Sequence, residues 1–187
     1  QLRTLIRKAK SQNNWHEMAR FSRAALVLSR TPGEYWSMVI AAHSAQFSEE
    51  LSKASAAFIE AYPEIPEAQL GEAIALMPTN PERAEEILEK IDENTLKSDF
   101  ARNILGRLVL KTDNPARGEA VIRQALANKK GMPIDHIALA HFLHESGKPE
   151  EAMDAIGPIG KVNAPVKWQL LRTRILIDCG LHKEAQS

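Results

Sequence analysis

The chain has 187 residues, 44% apolar and 26% charged, a composition that suits one soluble domain or a short array and excludes a disordered chain. No apolar run nears the roughly 18 residues that a membrane-spanning helix needs, and the single cysteine excludes an internal disulfide framework without fixing the compartment. Net charge is zero, yet residues 1–30 hold seven basic groups and one acid, residues 31–95 three and thirteen, and residues 96–187 fourteen and ten. In a linear array such blocks become a basic, an acidic and a basic stripe. Solvated helix faces are the ordinary reading; an acidic partner or a head-to-tail contact is the sharper one. The chain starts at Gln1 without Met and shows no signal-peptide pattern, so it is expected to be cut from something longer.

Helical periodicity runs through the whole sequence, and strand signals are missing. Leu2, Leu5, Ile6 and Ala9 form one apolar stripe; Trp15, Met18, Ala19, Ser22, Ala25 and Leu26 form the next, with Asn14 as its cap. Thr31-Pro32-Gly33 is expected to break the chain before a helix from Tyr35 to Ala45. A fourth helix carries Leu51, Ala54, Ala57, Phe58 and Ala61 and stops at Pro63. Pro66 to Met77 follows, then a turn in which Asn80 suits a cap and Pro81 the first helical position, then a helix to about Asp92. Thr95 to Lys111 with Pro115 to Asn128, and Pro133 to Ser146 with Pro149 to about Ile156, repeat that pair; Gly157-Pro158 shortens the last helix. A helix over 166–179 then leads into Gly180-Leu181-His182-Lys183-Glu184-Ala185. That stretch echoes Gly147 to Ala152 at a spacing of 33.

The period is explicit in three columns. Pro81, Pro115 and Pro149 are 34 apart, and so are Ala84, Gly118 and Ala152, and Leu88, Ile122 and Ile156. The further column Ile91, Ala125 and Ile159 follows the same step. A fixed period of this size marks a unit that cannot bury its apolar face alone and must stack on copies of itself. Small residues early in second helices let neighbouring helices approach closely, and Gly106 inside a helix, at a cost of about 1 kcal/mol against Ala, points to the same demand. The expected pairs are 1–30, 31–63, 64–94, 95–131 and 132–162, with an incomplete sixth at 163–187.

With Leu70-Gly71, Leu105-Gly106 and Leu139-Ala140 in first helices and Ala84, Gly118 and Ala152 in second ones, the chain resembles the tetratricopeptide repeat family. It departs from the family's pattern in lacking an aromatic residue at most expected first-helix sites and in Gly157-Pro158. The resemblance implies an all-α fold, an α-solenoid of antiparallel helix pairs wound as a right-handed superhelix, about five pairs plus a truncated sixth. It also implies a concave groove lined by first helices that binds a peptide or partner helix. The expected groove residues are Glu72, Asn103, Arg107, Lys111, His141 and His144. Members of the family that bind peptides clamp a terminal carboxylate with basic and Asn side chains, and Asn103 and Arg107 match that set in type. Arg107 is expected to stand clear of the core.

No catalytic residue, metal site or cofactor is expected. His141 and His144 sit three apart on one helix near His136 and Asp135, yet a third ligand at defined spacing is missing. Cys179 with His182 reads as a core thiol rather than as a nucleophile and base. Glycine loops for phosphate, serine elbows and metalloprotease signatures are absent. Nucleic acid is disfavoured, because reading single-stranded RNA needs a basic groove and residues 31–95 are strongly acidic. The function expected is a non-enzymatic protein-interaction scaffold with a protein or peptide partner, acidic in character. The alternative is the helical-repeat arm of a larger enzyme or of an envelope polysaccharide-export or secretion machine. The truncated C-terminal face, with Leu171, Ile175 and Leu176, is expected to lie uncovered and either to pair with a second copy or to be stabilised by extending the chain.

Overall fold

The computed structural model describes residues 1–157, 166–181 and 185. Among them the elements are all helical: α1 (Leu2–Ser11), α2 (Trp15–Leu28), α3 (Pro32–Ser44), α4 (Ser48–Ala61), α5 (Pro66–Leu76), α6 (Pro81–Lys90), α7 (Asp99–Val109), α8 (Ala116–Ala127), α9 (Pro133–Glu145), α10 (Pro149–Ile156) and α11 (Val166–Asp178). A single 3-10 turn, Glu93–Thr95, precedes α7. The starts follow local chemistry. Asn14 accepts from the Glu17 N–H at 3.2 Å and Asn80 from the Arg83 N–H at 3.2 Å, each filling an N–H that the first turn leaves open.

Three starts differ from the expectation, the smallest difference being at α8, which begins at Ala116 with Pro115 at the cap position. Pro32 and Gly33 belong to α3 instead of breaking the chain before it, because the first helical position needs no N–H and suits the fixed φ of proline. Thr95 lies in the 3-10 turn, and α7 begins only at Asp99, where the Ser98 hydroxyl accepts from the Ala101 N–H at 3.1 Å. Ile159, the third member of its column, lies outside the described residues.

The helices form two compact units, Gln1–Leu96 and Lys97–Ser187. In each, consecutive helices pack on one another, and first helices also touch the next first helix: α3 on α5, α7 on α9 and α9 on α11. This is the stacking of an α-solenoid, in which each pair covers the apolar face its neighbour leaves open. In the first unit the core is Met38 to Ala42 of α3 against Phe58, Leu70, Ala73 and Ala84, all buried, with the Tyr35 ring stacked on Phe58 at 5.5 Å. In the second, Leu105, Ile122, Leu139, Leu143, Ala152 and Ile156 are buried. The columns Ala84, Gly118, Ala152 and Leu88, Ile122, Ile156 are therefore core columns, whereas Pro81, Pro115 and Pro149 are not buried.

At the end of α11 the expectation is corrected. Leu171, Ile175 and Leu176 are 9%, 0% and 3% exposed, and Trp168, Leu171 and Ile175 join the cluster built by Leu139, Leu143, Ala152 and Ile156. The apolar residues of α11 left open are Val166, Leu170 and Ile177, on another face, and Leu181 is exposed beyond its end.

The turn after α3 carries a small strain. Gln46 sits at φ 60°, a left-handed conformation in which a Cβ crowds the following carbonyl. Gly147, at the end of α9, occupies the same kind of position at φ 75° without that penalty. Gln46→Gly is expected to stabilise the protein by about 0.5–1 kcal/mol, read as a higher urea midpoint at unchanged slope.

Candidate functional site

The most elaborate polar arrangement lies between α7 and α9. Asp135, in the first turn of α9, is fully buried. Its carboxylate accepts from the Asn103 side-chain amide at 2.9 Å, from the Met132 backbone N–H at 2.7 Å and from the Arg107 guanidinium. Asn103, 1% exposed, also donates to the Lys130 carbonyl at 3.0 Å. The helix N-terminus favours negative charge here, and three donors replace the water that the carboxylate has lost.

Asn103 and Arg107 thus have a different job from clamping a ligand carboxylate. Both face a carboxylate of the next first helix, and Arg107 keeps only 18% of its side chain exposed. The expectation that Arg107 stands clear of the core is corrected accordingly. His144 repeats the pattern one pair later: its side chain is 8% exposed and Nε2 meets the Asp178 carboxylate of α11.

The other groove residues are more open. His141 is exposed on α9 and pairs along its own helix with Glu145 at 3.1 Å. Lys111 is exposed just beyond α7, and Glu72 is half-buried on α5 in the first unit. Lys111, His141 and His144 belong to one unit and Glu72 to the other.

A column that sequence reading missed organises these contacts. Glu34, Glu67, Ala101, Asp135 and Trp168 follow one another at steps of 33 or 34, each in the first turn of a first helix, and each is buried. In the first unit Arg3 of α1 reaches Glu34 of α3 with Nε–Oε1 of 2.7 Å, as Arg107 reaches Asp135. The signal was available as an acid recurring one or two residues after a helix-starting proline. It reads on its surface as ordinary N-terminal dipole charge, which hides the burial.

Cys179 is partly buried; desolvation pushes its thiol up, and Glu150 and Asp178 add to the shift. A raised thiol is a poor nucleophile, and His182 lies outside the described residues. Among the described residues no three His, Cys, Asp or Glu side chains come together as a metal site, and no helix is long and apolar enough to cross a membrane.

No protein-family model and no curated protein matches this chain. Among solved structures it is similar to a tetratricopeptide repeat protein from Parabacteroides merdae ATCC 43184, with a TM-score of 0.59 and 19% identity over 98% of this chain and 73% of that one. The fold is therefore tetratricopeptide-like, as the repeat columns imply.

Proposed function

We propose that this tetratricopeptide-like stack is a non-enzymatic scaffold that holds a partner polypeptide against its first helices. The observation that carries the reading is a division of labour on the α7–α9 face. Asn103 and Arg107 fix one first helix to the next, while Lys111, just beyond α7, and His141, on α9, are exposed. A rigid rail with exposed polar groups lowers the ordering cost that a bound peptide otherwise meets.

Four of the eight cations in the basic block at 97–130 are held in ion pairs. Arg102 and Lys130 pair with Asp99, Arg107 with Asp135, and Arg123 with Glu119 and Glu151. Lys111 is the cation of this block on which an acidic partner segment depends most. Glu72, on α5 of the other unit, is a separate candidate contact of that unit.

The test is capture of the partner from the source cell, then titration of the purified pair against Lys111→Ala and His141→Ala. Lys111→Ala is expected to weaken binding by about 1.5 kcal/mol, a little over tenfold, with salt weakening the unmodified protein more than the variant. Unchanged affinity in both variants, with helix content preserved, would move the site away from this face.

A further inference from the structure

A second surface of the Lys97–Ser187 unit carries a ligand assignment of its own. Where α8 ends, α9 begins and α10 ends, the three helices border an open cleft of about 420 Å³. Its lining includes Leu126 and Leu139, with Leu139 only 2% exposed, so the floor is apolar. Its polar atoms are unevenly matched. Arg123, the basic residue of the lining, is held by Glu119 and Glu151 at 2.7 and 2.8 Å. Asp154 faces the same cleft, is exposed, and has no hydrogen-bond or ion-pair partner among the described residues.

His136 supplies another unmatched acceptor. Its Nδ1 lies 2.7 Å from the Ala155 carbonyl oxygen, and an oxygen that only accepts requires the hydrogen to be on Nδ1. In the neutral ring Nε2 then holds a lone pair. Among the described residues the cleft therefore offers an apolar floor, a carboxylate without a partner and the ring of His136, whose Nε2 has none either, while its guanidinium is already engaged.

We propose that this cleft takes a lysine side chain of a partner protein. The aliphatic stem lies along Leu126 and Leu139, and the ammonium donates to Asp154 and to His136 Nε2. A lysine matches both halves of the surface: four methylenes for the floor and three N–H donors, with positive charge, for acceptors that lack a donor. An acidic side chain would meet Asp154 and Glu151 as like charges. A purely apolar one would leave both acceptors facing it unmatched. The assignment does not depend on Lys111 or His141, although His136 and Leu139 belong to the same first helix as His141.

The experiment is an NMR titration of the full chain, methyl- and nitrogen-labelled, with the capped peptide acetyl-Ala-Ala-Lys-Ala-Ala-amide. A twin carrying norleucine in place of lysine keeps the stem and lacks the charge. The lysine peptide is expected to give saturable shifts at the Leu126 and Leu139 methyls and at the His136 ring nitrogens. The norleucine twin is expected to bind about tenfold more weakly, and Asp154→Asn to weaken the lysine peptide by about tenfold while leaving the twin unchanged. Asp154 is exposed, so that variant keeps the fold. Three results would each overturn the proposal: no saturation, shifts that map outside the cleft, or equal affinity for the two peptides. Equal affinity would make this an apolar cleft with no preference for a cation.

Discussion

Arg107→Ala is expected to destabilise the protein by about 3 kcal/mol, far more than the loss of an exposed arginine. The reason is its partner. Asp135 is fully buried, and removing the guanidinium leaves a carboxylate inside the protein with two of its three donors, Asn103 and the Met132 N–H. Asp135→Asn is expected to cost about 2–3 kcal/mol for the complementary reason: its new NH₂ group faces donors on every side, so a buried donor goes unmatched. Replacing both partners, as Arg107→Met with Asp135→Leu, removes the charges together and is expected to recover much of the loss. Urea denaturation of the four proteins gives the double-mutant cycle. A loss below about 0.5 kcal/mol in Arg107→Ala would mean that solvent reaches Asp135. The same cycle guards the binding titration, since weaker partner binding by an Arg107 variant reports a loosened α7–α9 contact rather than a lost ligand contact.

Gly118→Leu is the second large effect. A Cβ at Gly118 would stand 2.6 Å from the Leu110 backbone nitrogen and 2.7 Å from the Gly106 carbonyl oxygen. Both are backbone atoms of the α7 end, so relief requires the two helices to move apart and not a side chain to turn. Helix propensity favours the substitution by less than about 1 kcal/mol, whereas overpacking of this kind costs about 3 kcal/mol. The clash wins, and a net loss of about 2 kcal/mol is expected, with Gly118→Ala losing in the same direction. Thermal melts of both variants check it; an unchanged midpoint in Gly118→Ala would show that α7 and α8 are not held at this spacing. Gly71 provides the contrast, because its added Cβ would meet the Val39 side chain only at 3.4 Å.

The helical class, the order of the elements and the buried columns were legible in the chain itself. A 34-residue step that keeps Ala84, Gly118 and Ala152 small and Leu88, Ile122 and Ile156 apolar leaves stacked helix pairs as the economical way to bury them. Asn14 and Asn80 capped where a short polar side chain before a periodic run must. These are local or periodic properties, and sequence carries them directly.

What the tertiary structure alone decided was which polar groups are available. Arg107 and Asp135 are 28 residues apart on successive first helices, and nothing in the spacing says that a guanidinium will turn to the next helix and not to solvent. Helix α11 makes the same point with apolar groups. Trp168, Leu171 and Ile175 form one apolar stripe and Val166, Leu170 and Ile177 another, so periodicity cannot choose between them. Packing against α9 and α10 buries the first and leaves the second exposed, because burial depends on which neighbour is present in space and not on the order of residues along the helix.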